Sequence, residues 1–231
     1  MVLSIVATPI GNLKDISIRA KEVLAQATLI VAEDTRTTGQ LLKLLELQGS
    51  KKEYVSSHAQ SSDTALQKAL ERCKEHEYIV LVTDAGTPAI SDPGSLFVDQ
   101  FRVMYPDAIV VPIPGPSALI TALSVSGFPG NHFEFLGFLP HKKGRQTLFA
   151  SMAESKHTVI FYESPHRIIK TLESLAETLG DRKIMVGREM TKAFEEYPRG
   201  TAEELLAYYT QHPDKVRGEF VVVIGPTHYH S

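Results

Sequence analysis

Three loops of this 231-residue chain combine glycine, proline and small polar residues in a way that suits a bound ligand. They are Ala7-Thr-Pro-Ile-Gly-Asn-Leu-Lys-Asp15, Thr83-Asp-Ala-Gly-Thr-Pro-Ala-Ile-Ser-Asp-Pro-Gly94 and Pro112-Ile-Pro-Gly-Pro-Ser-Ala118. Such residues bring backbone close to a ligand and expose its N–H and C=O groups. Because open parallel sheets bind ligands at the carboxyl ends of their strands, the three loops predict one binding edge. The competing interpretation is a set of tight strand-to-helix turns.

The sequence lacks the motifs of several other kinds of enzyme chemistry. The sequence contains no G-x-x-x-x-G-K-[ST] phosphate loop, no G-x-S-x-G nucleophile turn and no H-E-x-x-H helix. No G-x-G-x-x-G follows a predicted strand, so the usual dinucleotide site is not expected. A single cysteine, Cys73, excludes an intrachain disulfide and a multi-cysteine metal site, and we expect no metal.

The elements that must position the loops alternate along the chain, as in an α/β protein. Apolar runs predict strands at residues 3–7, 29–32, 54–56, 78–84, 109–112, 133–138, 158–162, 184–188 and 220–224. Helix signals lie between them: an amphipathic stretch at 63–77 with Cys73 on its apolar face, a start at Ser164-Pro165 with Gly180 as its stop, and capping-box spacing from Thr201 to Glu204. The proline-rich segment 112–116 predicts a boundary between an N-terminal α/β domain, residues 1–115, and a C-terminal α/β domain, residues 116–226, with a frayed tail at 227–231.

Composition and charge predict a cytoplasmic, soluble protein. The chain is 43% hydrophobic and 22% charged, and no apolar run approaches the ~18 residues of a membrane span. The net charge of −3 argues against indiscriminate coating of nucleic acid. Residues 141–170 are nevertheless basic, with Lys142, Lys143, Arg145, Lys156, Arg167 and Lys170 against Glu154 and Glu163. This segment could meet a polyanion, and a solvated helix face is the alternative.

In order and spacing, the loops resemble the tetrapyrrole methylase family of S-adenosylmethionine-dependent methyltransferases. Further motifs narrow the resemblance to the branch that methylates small-subunit (16S) ribosomal RNA on a cytidine ribose 2′-oxygen: Ala32-Glu-Asp-Thr-Arg36, Phe161-Tyr-Glu-Ser-Pro-His-Arg167 and Arg188-Glu-Met-Thr-Lys192. The resemblance covers nearly the whole chain. It implies two α/β domains with the cofactor in the interdomain cleft, and a homodimer.

The resemblance also implies site residues. Those for S-adenosylmethionine are Pro9, Ala85, Gly86, Thr87, Ile90, Ser117, Ala118, Tyr162, Glu163 and Met190. One departure concerns Thr87, because corrin- and porphyrin-acting members carry Gly-Asp-Pro where this chain has Gly86-Thr87-Pro88. The missing carboxylate counts against a tetrapyrrole substrate.

A ribose 2′-hydroxyl is a poor nucleophile near neutral pH and benefits from a nearby base or cation. We therefore expect Asp34 or Glu189 to act as proton acceptor or orienting group, and Arg36 and Lys192 to hold RNA or stabilise charge. Ordinary ion-paired surfaces are the competing interpretation for both sets. Lys142, Lys143, Arg145 and Arg167 are the expected RNA-phosphate contacts.

Two other functions fit the same sequence features. A non-enzymatic module that binds S-adenosylmethionine would carry the same loops, and a methylase of small molecules such as tetrapyrroles would share the fold. The sequence also leaves open which nucleotide is modified, and whether naked RNA or an assembled small subunit is the substrate. His58 is expected to be a structural residue.

Overall fold

Two α/β units make up the chain, Met1–Ser117 and Ala118–Ser231. The computed structural model describes residues 1–48, 52–57 and 63–227. His58 and the tail after residue 227 lie outside these ranges. No helix in the described part of the chain is both long and apolar enough to cross a membrane.

The first unit is a parallel sheet with helices on both faces. Its elements are β1 (Val2–Val6), α1 (Ile18–Gln26), β2 (Leu29–Ala32), α2 (Thr35–Leu44), β3 (Glu53–Ser56), α3 (Asp63–Cys73), β4 (Tyr78–Val82), α4 (Gly94–Met104) and β5 (Ile109–Ile113), with a 3-10 turn at Leu13–Asp15. The strands lie in the order β3-β2-β4-β1-β5, and every pairing is parallel. All five carboxyl ends therefore lie at one edge of the sheet.

Two apolar clusters cover the faces of this sheet. One joins α3 and α4 to the strands through residues such as Leu70, Phe97 and Phe101, and the other joins α1 and α2 through Leu24 and Leu42. Cys73 is completely buried in the first cluster, and burial raises the pKa of its thiol to about 12. It is the core residue that its place on the apolar face predicted.

The second unit contains a mixed sheet. Its elements are α5 (Ala118–Ser126), β6 (Phe133–Phe138), α6 (Arg145–Glu154), β7 (Thr158–Glu163), α7 (Ile168–Leu179), β8 (Lys183–Arg188), β9 (Arg199–Thr201), α8 (Ala202–Gln211) and β10 (Phe220–Ile224), with a 3-10 turn at Pro213–Lys215. The order is β6-β7-β10-β8-β9, with β6 and β7 parallel and the other pairs antiparallel. The two α/β sheets agree with the predicted fold class.

The helices of this unit lie on opposite faces of its sheet. Helices α6, α7 and α8 bury one face through a cluster that includes Phe149, Leu172 and Tyr209. Helix α5 packs on the other face through Leu119 and Ala122.

Local helix signals gave mixed results. Thr201 and Glu204 form the predicted capping box at the start of α8. The predicted start at Ser164 is wrong, because α7 begins at Ile168. The Ser164 carbonyl instead accepts hydrogen bonds from the backbone N–H groups of Arg167 and Ile168, so a separate turn precedes the helix.

Candidate active site

The first two loops are joined directly at the carboxyl edge of the parallel sheet. Thr8, after β1, and Gly86, after β4, form an antiparallel bridge with N–H to O distances of 2.9 and 3.1 Å. The Thr8 hydroxyl also donates to the carbonyl of Thr83 at 3.2 Å, and Thr8 is almost fully buried. Two loops distant in sequence therefore behave as one backbone-built surface.

The third loop joins the same surface. The Thr87 hydroxyl donates to the Pro116 carbonyl at 2.9 Å, which gives this threonine a definite contact within the protein. At Gly115 a Cβ would lie 3.0 Å from the Cβ of Ala7, so a larger residue there would require one of the two loops to shift. Gly86 has a φ of +87°, a backbone conformation that residues with a side chain rarely adopt.

The far half of the second loop stores backbone strain. Ala89 and Ser91 have φ values of 70° and 65°, a conformation that costs roughly 1–2 kcal/mol for each residue with a Cβ. Asp92 holds this turn, because its Oδ1 accepts from the Ala89 N–H at 2.9 Å and from the Gly94 N–H at 2.7 Å. Sequence reasoning did not single out Asp92, although the run Ser91-Asp-Pro-Gly94 is a turn signal.

The predicted cofactor residues of the first unit lie on or beside this surface. Gly86 is buried, whereas Pro9, Thr87 and Ser117 are half-buried. Ala85 is exposed, and Ile90 exposes 40% of its surface although it is apolar.

The loop after β2 is tied to the second loop through residues that the sequence did not assign a role. The Thr83 hydroxyl donates to the Glu33 carboxylate at 2.6 Å, and the Asp34 N–H donates to Asp84 Oδ1 at 3.1 Å. Glu33 and Asp84 thus fix the position of the Asp34 backbone.

The Asp34 side chain forms its hydrogen bonds at the start of α2. Its carboxylate accepts from the backbone and the guanidinium of Arg36, each at 2.8 Å, and caps α2. The hydrogen bonds from Arg36 lower the pKa of Asp34 to about 2. The Arg36 side chain is 91% exposed, so it remains open to solvent despite this pair.

In the second unit, three predicted cofactor residues belong to one apolar cluster. Met190 is buried there, with Ala118 and Tyr162 partly buried beside it. The Tyr162 ring makes edge contacts with Phe135 and Phe138 at centroid distances of 5.0 and 5.4 Å. Burial raises the pKa of Tyr162. These residues offer an apolar surface with a single hydroxyl.

Glu189 and Lys192 form a second carboxylate–ammonium set. Lys192 Nζ lies 2.8 Å from both Glu189 and Glu219, and the Glu219 N–H donates to Glu189 at 3.1 Å. Burial alone raises the pKa of Glu189, but these hydrogen bonds outweigh it and the net pKa is lowered. Glu189 has a φ of 48°, and a Cβ at Gly218 would collide with its carboxylate. The set is therefore held by its backbone as well as by its charges.

Glu163, a predicted cofactor residue, has a completely buried side chain. It accepts from Arg167 at 2.6 Å and from the Thr171 hydroxyl at 2.7 Å, and Arg145 lies 3.6 Å away. With these partners its carboxylate has an evident structural role, and the residue as a whole is only 1% exposed.

The four predicted RNA contacts divide into two pairs. Lys142 and Lys143 are exposed. Arg145 and Arg167 are only 16% and 17% exposed and point into the protein, because Arg167 donates to the Leu139 carbonyl at 2.8 Å and Arg145 to the Pro140 carbonyl at 3.2 Å. The arginines differ from the free cations that we expected, since they bind the segment that carries the lysines.

No group of three or more potential metal ligands lies close together among the residues that the structure describes.

Comparison with known proteins identifies the family that has this fold. The family model of the tetrapyrrole (corrin/porphyrin) methylases matches residues 2–206, so the chain belongs to this family. The predicted family and the predicted enzyme class, a methyltransferase, are confirmed.

The names of curated relatives are more specific than the name of the family. A protein of Thermotoga maritima is 42% identical over 224 residues, covering 96% of this chain and 97% of its own length. A protein of Xylella fastidiosa is 45% identical over 224 residues, covering 96% and 80%. Both are named ribosomal RNA small subunit methyltransferase I.

Solved structures support the fold. Uroporphyrin III C-methyltransferase from Thermus thermophilus superposes with a TM-score of 0.66 at 17% identity, covering 97% of each chain. Diphthine synthase superposes with a TM-score of 0.73 at 14% identity, covering 97% of this chain and 90% of its own.

Proposed function

We propose that this protein transfers the methyl group of S-adenosylmethionine to small-subunit (16S) ribosomal RNA, on the 2′-oxygen of a cytidine ribose. The observation that carries the proposal is similarity over nearly the whole chain to relatives named for small-subunit ribosomal RNA methylation, above 40% identity over 96% of the chain. The threonine at position 87, where the resemblance implies an acid in corrin- and porphyrin-acting members, favours RNA over a tetrapyrrole as substrate.

The loops of the first unit fit S-adenosylmethionine. Gly86 and Gly115 add no side chain to this surface. A Cβ at Gly115 would lie 3.0 Å from the Cβ of Ala7. In the second unit, the apolar surface of Ala118, Tyr162 and Met190 suits an uncharged portion of the cofactor. When bound, the cofactor supplies an electrophilic methyl group on a sulfonium.

Asp34 and Glu189 are better suited to orienting than to accepting a proton. The pKa of each is lowered, which makes both carboxylates weak bases at neutral pH. Each instead holds a cation, Arg36 and Lys192 respectively. We assign Arg36 and Lys192 to RNA phosphate or to the charge that develops on the ribose oxygen.

RNA positioning falls mainly to Lys142 and Lys143. Both are exposed on a segment that buried residues hold in place. Phosphate contacts of this kind fix the position of a nucleic acid and carry no sequence information.

The proposal includes action in the cytoplasm as a homodimer. Exposed apolar side chains of the first unit, Leu96 at 53%, Val103 at 72% and Ile109 at 61%, offer area for a second copy. Sedimentation equilibrium of the purified protein tests this part, and a monomer at micromolar concentration would remove it.

Mass mapping of ribose methylation in small-subunit ribosomal RNA, from cells with and without this protein, tests the main proposal. We expect one methylated cytidine to lose its methyl group in the absence of the protein. The purified protein should restore it, and supplying naked RNA or assembled subunits identifies the physical substrate. An identical methylation map in both cells, with no transfer in vitro, would favour a small-molecule methylase or a non-enzymatic binding module.

A further inference from the structure

An exposed aromatic ring ends the edge strand β6. Phe138 exposes 60% of its surface, although it lies in a strand of the sheet. The pairing of β6 with β7 shifts between Phe135 and Phe138, and Gly137 has a φ of +60°. Such a bulge redirects the side chain that follows it, and bulges are frequent beside functional sites.

One aromatic contact and the buried residue that follows restrict the position of this ring. Tyr162 contacts it edge-on at 5.4 Å. The next residue, Leu139, is 2% exposed and packs in the core formed with α6, α7 and α8. The Leu139 carbonyl also accepts from Arg167, whose guanidinium is fixed by buried Glu163. A ring held in this way needs little further ordering when it binds a ligand.

The positive charge that follows Phe138 in the chain indicates the kind of ligand that the ring contacts. Lys142 and Lys143 follow in the same segment and are exposed. Four residues span at most about 14 Å even when fully extended, so one bound strand can contact both the ring and a lysine. An aromatic ring next to cations is the combination that binds single-stranded nucleic acid, with bases on the ring and phosphates on the cations.

We propose that Phe138 stacks on an unpaired base of the RNA substrate. This inference rests on the proposed function, because it takes RNA as the substrate. Phe138 is then a positioning residue: it fixes one base while Lys142 and Lys143 hold the neighbouring backbone. Every base has a π-face, so this contact selects unpaired RNA and not a particular base.

Four single variants test the contact. The probe is a short single-stranded RNA that contains 2-aminopurine, whose fluorescence falls on stacking, and methyl transfer is measured on small ribosomal subunits from cells that lack the protein. Phe138→Ala should bind the RNA about tenfold more weakly and lose the fluorescence change. Phe138→Trp should restore both, and Phe138→Leu should not, since it keeps apolar area without a ring. Phe133→Ala, at the other end of the same strand and 37% exposed, is the matched control and should behave like the wild type.

The salt dependence of RNA affinity separates stacking from a disturbed segment. Stacking contributes no counterion release, so Phe138→Ala should leave the slope of log affinity against log salt unchanged. A reduced slope would mean that the lysines had moved and would overturn the proposal. Wild-type behaviour of Phe138→Ala or of Phe138→Leu would also overturn it, as would a change of oligomeric state in Phe138→Ala, which would assign the ring to a second copy. Absence of methyl transfer by the wild type would instead contradict the proposed function.

Discussion

The three-loop edge of the first unit and residues 139–145 of the second unit are held in place by different forces. In the first, backbone groups of Thr8 and Gly86 bond to each other, and glycine allows the close approach. In the second, buried Glu163 holds two arginines that bind the backbone of the segment. A surface made of backbone should tolerate changes of polar side chains but not an added Cβ, whereas a surface held by buried charges should show the reverse. Four predictions test this contrast.

The largest effect is expected from Glu163→Ala. It leaves Arg145 and Arg167 without their buried carboxylate, and breaking such a pair costs about 3–5 kcal/mol. We expect the free energy of unfolding, measured by urea denaturation, to fall by this amount. Glu173→Ala, at an exposed position of α7, is the control and should change it by less than about 0.5 kcal/mol. Equal stability of the two variants would mean that side-chain charge does not hold this region.

Gly86→Val tests the backbone-built edge. A valine at a φ of +87° is strained, and its Cβ would already lie 3.4 Å from Ile10 Cγ2. We expect S-adenosylmethionine to bind at least tenfold more weakly, about 1.4 kcal/mol, by calorimetry. Gly39→Val is the matched control, because a Cβ at Gly39 meets nothing within 4 Å. Unchanged affinity in a folded Gly86 variant would place the cofactor elsewhere.

The third prediction divides residues 139–145 into its exposed and its buried cations. Lys142→Ala with Lys143→Ala should reduce the salt slope of RNA affinity by up to about 0.7 for each lost contact, because single-stranded RNA releases counterions in this proportion. Affinity for S-adenosylmethionine should stay the same. Arg145→Ala should instead lower stability, since its guanidinium contacts Thr171 and Pro140. An unaltered slope in the double lysine variant would remove this segment from RNA binding.

The smallest effect concerns pH. Because the pKa values of Asp34 and Glu189 are lowered, both carboxylates stay ionised below the range where such groups usually titrate. The contribution of the Asp34 cap to stability is therefore present above its unfolded pKa of about 3.9 and is lost only as the pH falls toward about 2. We expect kcat/KM to show no inflection from either group between about pH 5 and pH 7. Asp34→Asn should lower the rate without changing the shape of the profile, and a lost inflection in that variant would assign it the proton.

The sequence predicted the strands better than the partners of charged groups. Apolar runs located nine strands close to their observed positions, but β9 escaped because Arg199–Thr201 contains no apolar residue. The three loops of the first unit could be located from the sequence because glycine and proline act locally on the backbone. Their connections, such as Thr83 to Glu33, join residues far apart in the chain and follow only from the tertiary fold.

Arg145 and Arg167 illustrate what the sequence does not predict, namely the partners of a charged side chain. Composition counts each as a positive charge, and nothing in a charge count tells a solvated guanidinium from one that binds a buried carboxylate. Arg167 lies only four residues after Glu163, but Glu163 ends β7 and α7 begins at Ile168, so helical spacing does not account for their pair. The approach of Arg145 depends on how residues 139–145 pass α7, which no local pattern encodes.

The position of β1 between β4 and β5 has a consequence for how the chain folds during synthesis. Both of its partners, β4 and β5, are translated much later, since Val2 pairs with Tyr78 and with Ile109. At roughly 5–20 residues per second, the apolar strand emerges several seconds before either strand that pairs with it. The sheet of the first unit can be completed only after Ile113 has left the ribosome, so Leu3 and Val6, fully buried in the folded unit, lack their neighbouring strands until then.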